Sequence, residues 1–91
     1  MRIKAIVTEP ETAIKIFEKH NALGKEIYQA MKDGAPQFRR VGGNQYVAVG
    51  LAQNRHLTIF FRYDEKTKEA EITTAYPSDK KQIRWYKKVK P

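Results

Sequence analysis

The sequence predicts an α+β fold: two N-terminal helices packed on one face of a four-stranded antiparallel meander sheet, followed by a C-terminal basic helix. Three observations predict it. Apolar residues recur at helical spacing before Asp33. Apolar and polar residues alternate after Pro36, as in strands. Short turns rich in Gly, Asn and Asp join the alternating stretches, so successive strands must run antiparallel. Helices and strands that are segregated along the chain are typical of the α+β class.

Helix-capping and helix-breaking residues predict the bounds of the two N-terminal helices. Thr8 is placed to cap the first helix, Pro10 suits its first turn, and the helix should end near His20. Its expected apolar stripe is Ala13, Ile14 and Phe17. The second helix should span residues 22–32, because the Asp-Gly-Ala-Pro segment that follows stops it. Its expected apolar side is Leu23, Ile27, Ala30 and Met31.

The four strands are expected at residues 37–43, 45–51, 56–64 and 69–76. Residues 2–7 are short and rich in Ile and Val, which suits an additional edge strand. Ser78 or Asp79 is placed to cap the last helix, which should run to about Lys88. We expect the whole chain, residues 1–91, to form a single domain, since a chain of this length buries only a thin core.

Alternation assigns the side chains to two faces of the sheet. One face should carry the core beneath the two helices. Its expected members are Val47, Val49, Leu51, Leu57, Ile59, Phe61, Tyr63 and Ile72. The other face should be polar and basic. Its expected members are His56, Thr58, Phe60, Arg62, Thr73 and Ala75. This second face is either a binding surface or simply the solvated face that antiparallel sheets commonly have.

The charge favours an anionic partner. The chain has 18 Lys+Arg against 10 Asp+Glu, a net charge of +8. Such a field attracts nucleic acid first, an acidic protein second and an anionic membrane surface last. The alternative is a lysine-rich surface that only keeps the protein in solution. There is no cysteine, which excludes thiolate chemistry and is consistent with the cytoplasm, and no segment has the length of a membrane span.

A family resemblance rests on several segments. These are Glu18-Lys19-His20-Asn21, Arg39-Arg40-Val41-Gly42, the strand end Ile72-Thr73-Thr74-Ala75-Tyr76-Pro77, and the basic helix that follows. Together with the order of elements, which covers nearly the whole chain, they resemble the RelE/BrnT-like toxin ribonucleases. That superfamily also includes bacteriocin and contact-dependent-inhibition ribonuclease domains.

The resemblance implies a metal-independent endoribonuclease. We expect no cofactor and no membrane partner. Its expected substrate is mRNA, tRNA or ribosome-bound RNA. Its expected protein partner is an acidic antitoxin or an immunity protein. Catalytic groups are expected on the open face of the sheet and on the flanking helices.

Metal-free RNA cleavage uses the ribose 2′-hydroxyl as nucleophile and needs a base, an acid and cations that stabilise the phosphorane. The expected catalytic residues are His20, Arg40, Arg62 and Tyr76. Three of them also have an alternative role. His20 suits the negative end of a helix dipole, Arg62 suits an ion pair with Glu71, and Tyr76 is in phase with Ile72 and so suits the edge of the core. Arg39 and Arg40 must face opposite sides, and Arg40 is the one expected to join the site.

The expected substrate-binding residues are His56, Thr58, Thr73, Lys80, Lys81 and Arg84. Basic residues interleaved with Trp85 and Tyr86 suit a polyanion with splayed bases. The same segment also suits a solvated helix anchored by Ile83 and one aromatic ring. The acidic residues are dispersed, so no metal site is expected. A non-catalytic basic nucleic-acid-binding module is the main alternative to a nuclease, and an interaction domain is the third candidate.

Overall fold

The structure is a computed structural model, and it describes residues 1–89. Within that range it contains three helices and five strands. In chain order they are β1 Ala5–Val7, α1 Pro10–His20, α2 Gly24–Lys32, β2 Gln37–Gly42, β3 Gln45–Ala52, β4 Arg55–Asp64, β5 Glu69–Pro77 and α3 Lys80–Val89. None of these helices is both long enough and apolar enough to cross a membrane.

The sheet has the strand order β1-β5-β4-β3-β2. The four strands β2 to β5 form the antiparallel meander that the sequence predicts. The α+β class is therefore confirmed, but the sheet is mixed and has one strand more than the predicted meander. The additional strand is β1, which pairs in parallel with Glu69, Ala70 and Glu71 at the start of β5. Within the described residues, no strand pairs with the outer side of the second half of β5, which therefore forms an edge of the sheet.

Two of the helix starts differ from the prediction. The cap position of α1 is Glu9 and not Thr8, and no side chain caps this helix. The second helix begins at Gly24, and the carboxylate of Glu26 accepts a hydrogen bond of 3.2 Å from the backbone N–H of Leu23. In contrast, Asp79 caps α3 as predicted, because its Oδ1 accepts a hydrogen bond of 2.8 Å from the backbone N–H of Gln82.

The apolar stripe of α1 is not the predicted one. Ile14 and Phe17 are 56% and 48% exposed, whereas Ile16 is buried in the core. The reason is that α1 packs mainly against β5, which covers only a narrow line of the helix. His20 lies four residues after Ile16, one turn along the same line, and therefore faces the edge of the sheet.

The prediction for the faces of β3 was wrong. Val47 lies opposite Phe60 and Val49 lies opposite Thr58, and opposed residues share a face. Both valines therefore point away from the N-terminal helices. The residues beneath α2 are Ala48, Gly50 and Ala52. Helix α2 approaches so closely that a Cβ at Gly50 would overlap the backbone of Ala30, and only small residues fit there.

A β-bulge in β5 reverses its alternation. Ile72 lies opposite Phe61 and Thr74 lies opposite Phe60, so Thr73 is an extra residue. Beyond the bulge, Ala75 faces the core and is fully buried, which corrects its predicted place on the polar face. Tyr76 consequently lies on the face opposite the N-terminal helices, and not at the edge of the core.

Helix α3 crosses this second face. Tyr86 is buried as predicted, and its hydroxyl donates to the carbonyl oxygens of Gly34 and Ala35 at 3.2 and 3.0 Å. The second face is therefore partly covered near β3 and remains accessible toward the exposed half of β5.

We predict that Gly50→Ala destabilises the fold by about 1–3 kcal/mol or more, because the new methyl group would overlap the Ala30 backbone. Gly24→Ala is the matched control. A Cβ at Gly24 meets nothing within 4 Å, and alanine favours the helix that begins there. Urea unfolding checks both variants. Equal midpoints for the two variants would contradict the close contact between α2 and β3.

Candidate functional site

His20 and Tyr76 lie side by side at the exposed edge of β5. Their ring centroids are 5.7 Å apart, with the rings tilted by 49°. His20 comes from the last residue of α1, and Tyr76 comes from the second half of β5, after the bulge. Both side chains are half-buried, so each ring is held by its neighbours and still reaches solvent. The structure therefore brings together two of the four predicted catalytic residues.

The Tyr76 hydroxyl is oriented by the first turn of α3. Gln82 Nε2 donates a hydrogen bond of 2.9 Å to the Tyr76 oxygen. Gln82 is fixed in turn, because its Oε1 accepts hydrogen bonds from the Asp79 backbone N–H at 2.9 Å and from the Thr58 hydroxyl at 3.0 Å. Since the amide donates to it, the Tyr76 hydroxyl keeps its own proton available for a further acceptor.

Cations flank the pair formed by His20 and Tyr76. Lys15 and Lys19 of α1 line a cavity of about 200 Å³ together with His20 and Thr74. Helix α3, whose Gln82 contacts Tyr76, presents three exposed basic side chains that were predicted to bind substrate. These are Lys80, Lys81 and Arg84. No acidic side chain lines the cavity beside His20 in the described part of the chain, so its surroundings are positively charged.

A second cavity, which we call the α3 cleft, lies between α3 and the sheet. It has a volume of about 220 Å³. It is lined by Arg39, Val47, Val49, Thr58, Phe60, Lys81, Gln82 and Trp85. The Phe60 ring connects the cleft to the site at the edge, because its centroid lies 6.2 Å from that of Tyr76.

The structure reverses the expected roles of the paired arginines in β2. Arg39 lies opposite Val47 and so shares the face of Tyr76, and its guanidinium carbon stands 5.6 Å from the centroid of the Trp85 ring. Arg40 lies on the helix side of the sheet, where its Nε donates to the Gly43 carbonyl at 2.8 Å. The placement of Arg40 in the site is therefore corrected. The pairing register of β2 against β3 decides this, and it is not visible in the sequence.

Arg62 is on the predicted face but is remote from the pair formed by His20 and Tyr76. Tyr76 lies opposite Thr58, and four residues of strand at about 3.4 Å each put Arg62 roughly 14 Å farther along β4. Its guanidinium forms an ion pair of 3.0 Å with Glu71. The alternative reading of Arg62 as a cross-strand partner of Glu71 is the one that its geometry supports.

Three predicted substrate-binding residues make hydrogen bonds or ring contacts within the protein, and of these Thr73 also lines the cavity beside His20. Thr58 is fully buried, and its hydroxyl is already bonded to Ser78 at 2.7 Å and to Gln82 at 3.0 Å. The His56 ring packs edge-on against Tyr86 under α3, with centroids 5.2 Å apart. Thr73 is exposed, but its hydroxyl donates to the Phe60 carbonyl at 3.0 Å and so supports the bulge.

Sequence reasoning missed four residues of the site: Lys15, Lys19, Arg39 and Gln82. One signal was present, because Asp79 followed three residues later by Gln82 is the pattern of a capping box, which fixes the Gln side chain at the helix start. The lysines carry no comparable signal. No cluster of three His, Asp or Glu side chains suited to a metal ion occurs within residues 1–89.

The end of α1 that carries His20 is braced by a partly buried ion pair. The Arg55 guanidinium contacts the Glu26 carboxylate at 3.0 Å and donates to the carbonyl oxygen of Asn21 at 2.9 Å. Asn21 has the left-handed φ of 53° that ends α1. The hydrogen bond from Arg55 holds the pKa of Glu26 below its usual value of 4.5, against the opposing effect of burial.

The comparison with known proteins shows what this architecture resembles. No protein-family model and no curated protein matches the sequence. Among solved structures, the chain is similar to the Brucella abortus ribonuclease toxin BrnT, with a TM-score of 0.68. The match covers 84% of this chain and 97% of that one.

The chain has a BrnT-like fold. The superposed sequences are only 8% identical. At that identity the likeness concerns the path of the backbone alone, and the chemistry of the site must be argued from this chain's own side chains. The fold predicted from the resemblance is thus confirmed, while the predicted residue roles rest on the geometry described above.

We predict that the fold loses stability as the pH falls below about 4.5, because Glu26 must take up a proton and give up its ion pair with Arg55. A carboxylate with a lowered pKa contributes stability above its unfolded-state pKa, and that contribution is lost as the pH falls through its folded-state pKa. Glu26→Gln should therefore cost about 1–3 kcal/mol at neutral pH. It should also flatten the acid limb of a plot of stability against pH.

Glu65→Gln, at an exposed turn position, is the matched control and should leave that limb unchanged. Thermal unfolding between pH 3 and pH 7 measures both variants. If Glu26→Gln kept the acid limb of the parent protein, the brace would have no part in acid stability.

Proposed function

We propose that this protein is a metal-independent endoribonuclease toxin of a toxin–antitoxin or toxin–immunity pair. The observation that carries the proposal is the contact between His20 and Tyr76, with the tyrosine hydroxyl held by Gln82 and two lysines of α1 lining the cavity beside His20. A proton-transfer residue, a hydroxyl donor and clustered positive charge are the parts that cleavage by the ribose 2′-hydroxyl needs. The BrnT-like fold supports the same reading, because the similar structure is that of a ribonuclease toxin.

The site residues take the following roles in this proposal. The His20 imidazole accepts the proton of the 2′-hydroxyl, and the 2′-oxygen attacks the adjacent phosphorus. The bond to the 5′-oxygen of the next nucleotide breaks, which leaves a 2′,3′-cyclic phosphate and a free 5′-hydroxyl. Lys15 and Lys19 stabilise the charge that develops on the phosphorane.

Tyr76 supplies the proton to the departing 5′-oxygen. The hydrogen bond that Gln82 donates to the Tyr76 oxygen stabilises the phenolate that this transfer leaves behind. Gln82 is thus a positioning residue, and the cap of α3 couples the folding of that helix to the site.

The charge supports the expected partners. A net charge of +8 on 91 residues attracts the RNA backbone, whether the substrate is mRNA, tRNA or RNA on the ribosome. It equally favours an acidic antitoxin or immunity protein that blocks the basic surface. A non-catalytic RNA-binding module would use the same charges, and it differs in leaving the bound RNA intact.

We expect purified protein to cleave RNA in the presence of EDTA, with His20→Ala and Tyr76→Phe each slower by about 10²- to 10⁴-fold. Each substitution removes one proton-transfer group and leaves the core untouched, because neither side chain is fully buried. End mapping should show 2′,3′-cyclic phosphates and 5′-hydroxyls at the cut ends.

Tyr28→Phe is the matched control for Tyr76→Phe. Tyr28 lies on α2, 53% exposed, and loss of its hydroxyl should leave the rate unchanged. Tight, salt-sensitive RNA binding without any cleavage would contradict the nuclease and select the RNA-binding module. Cleavage that survives in His20→Ala and Tyr76→Phe would place the chemistry elsewhere.

Arg62→Ala should reduce cleavage by less than the substitutions at His20 and Tyr76, because Arg62 lies along β4 from the site and is paired with Glu71. Its exposed ion pair should contribute only about 0–1 kcal/mol to stability. Single-turnover cleavage and urea unfolding measure the two effects. A rate loss as large as that of His20→Ala would restore Arg62 to the catalytic set.

A further inference from the structure

We propose that the α3 cleft binds one unstacked nucleobase of the substrate and selects guanine. This inference rests on the proposed function, because it assigns the base next to the phosphate that is cleaved. The first argument is size. The cleft measures about 220 Å³, which is below the roughly 300–1,000 Å³ of pockets that hold drug-sized ligands and suits a single ring system.

The walls of the cleft suit a flat apolar ring. Val47 and Val49 form a buried apolar floor, 6% and 2% exposed. Phe60 and Trp85 are half-buried and line the same cavity. Aromatic side chains of this kind stack on unpaired bases, and this stacking is how proteins hold single-stranded RNA.

The position of the cleft links it to the cleavage site. Gln82 and Phe60 line the cleft, and both also contact Tyr76, through the hydrogen bond of 2.9 Å and the ring centroids 6.2 Å apart. A phosphate held at Tyr76 and a base held in the cleft are therefore separated by one side chain. This arrangement suits a phosphate and a base that belong to neighbouring nucleotides of one RNA strand.

The polar groups at the rim decide which base fits. Arg39 and Lys81 are exposed and offer only hydrogen-bond donors. The Gln82 carbonyl oxygen already accepts two hydrogen bonds, and Thr58 is buried and bonded. No carboxylate lines the cleft within the part of the chain that the structure describes.

Donors without acceptors favour guanine. Its O6 and N7 are adjacent acceptors that match the planar fork of arginine, and this is the commonest specific contact of arginine with a base. Adenine presents an amino group beside N7, and the donors at the rim cannot accept a hydrogen bond from that group. The guanidinium of Arg39 is held over the Trp85 ring at 5.6 Å, so it is positioned before a base arrives.

The test measures binding without cleavage. The full chain is titrated with 2′-O-methyl hexauridylates that carry guanine, adenine, cytosine or uracil at one central position. The methyl group blocks the 2′-oxygen, so no RNA is cut. Trp85 is the single tryptophan of the chain, and its fluorescence reports occupation of the cleft directly.

The proposal predicts saturable quenching of Trp85, with the guanine oligonucleotide bound about 5- to 150-fold more tightly than the adenine one. Arg39→Ala should bring that ratio close to one. Arg39→Lys should lower the ratio while it keeps overall affinity, because lysine retains the charge but not the fork. Arg2→Ala, an exposed arginine outside the cleft, is the matched control and should keep the ratio.

Equal affinity for all four bases, with unchanged Trp85 emission, would overturn the cleft as a base site even if the protein cuts unmodified RNA. Base-selective quenching combined with a failure to cut unmodified RNA would retain the cleft and remove the nuclease. The titration with 2′-O-methyl RNA and the cleavage assay with unmodified RNA therefore distinguish the two failures.

Discussion

The hydrogen bond from the Thr73 hydroxyl to the Phe60 carbonyl, 3.0 Å long, supports the one extra residue that β5 carries. The placement of Tyr76 in the candidate site depends on that insertion. Without it, strict alternation would keep Tyr76 in phase with Ile72 and turn its ring toward the core. With it, Tyr76 reaches the face where His20 and Gln82 meet it. Bulges near functional sites redirect side chains in this way.

Two separate parts of the chain, α1 and α3, converge on Tyr76 because each is fixed by a local constraint. His20 lies at the end of the narrow face of α1 that packs against β5. The ion pair between Glu26 and Arg55 braces the end of this helix. The capping box of α3 fixes Gln82 and thereby the tyrosine hydroxyl. The same helix leaves the α3 cleft beside the site. The positively charged surface attracts polyanions, whereas these contacts fix the positions of the side chains in the site.

The sequence predicts the class, the order of elements and the meander, because periodicity and turn residues are local signals. It assigns residues to the wrong position where a contact between distant parts of the chain determines that position. The faces of β3 follow the close approach of α2 at Gly50, and Arg39 rather than Arg40 joins the site because of pairing register. The remote position of Arg62 likewise comes from register along β4. The structural similarity to BrnT confirms the path of the backbone. At 8% identity it does not bear on these side-chain positions, which follow from contacts within this chain.

The most direct test of the account is a nuclear Overhauser spectrum that assigns the neighbours of the Tyr76 ring in solution. The account predicts cross-peaks from the Tyr76 ring protons to those of His20 and Phe60, whose rings flank it. Cross-peaks from Tyr76 to the core side chains of Leu57 and Ile72, without any to His20, would show that β5 runs without its bulge and would contradict the account.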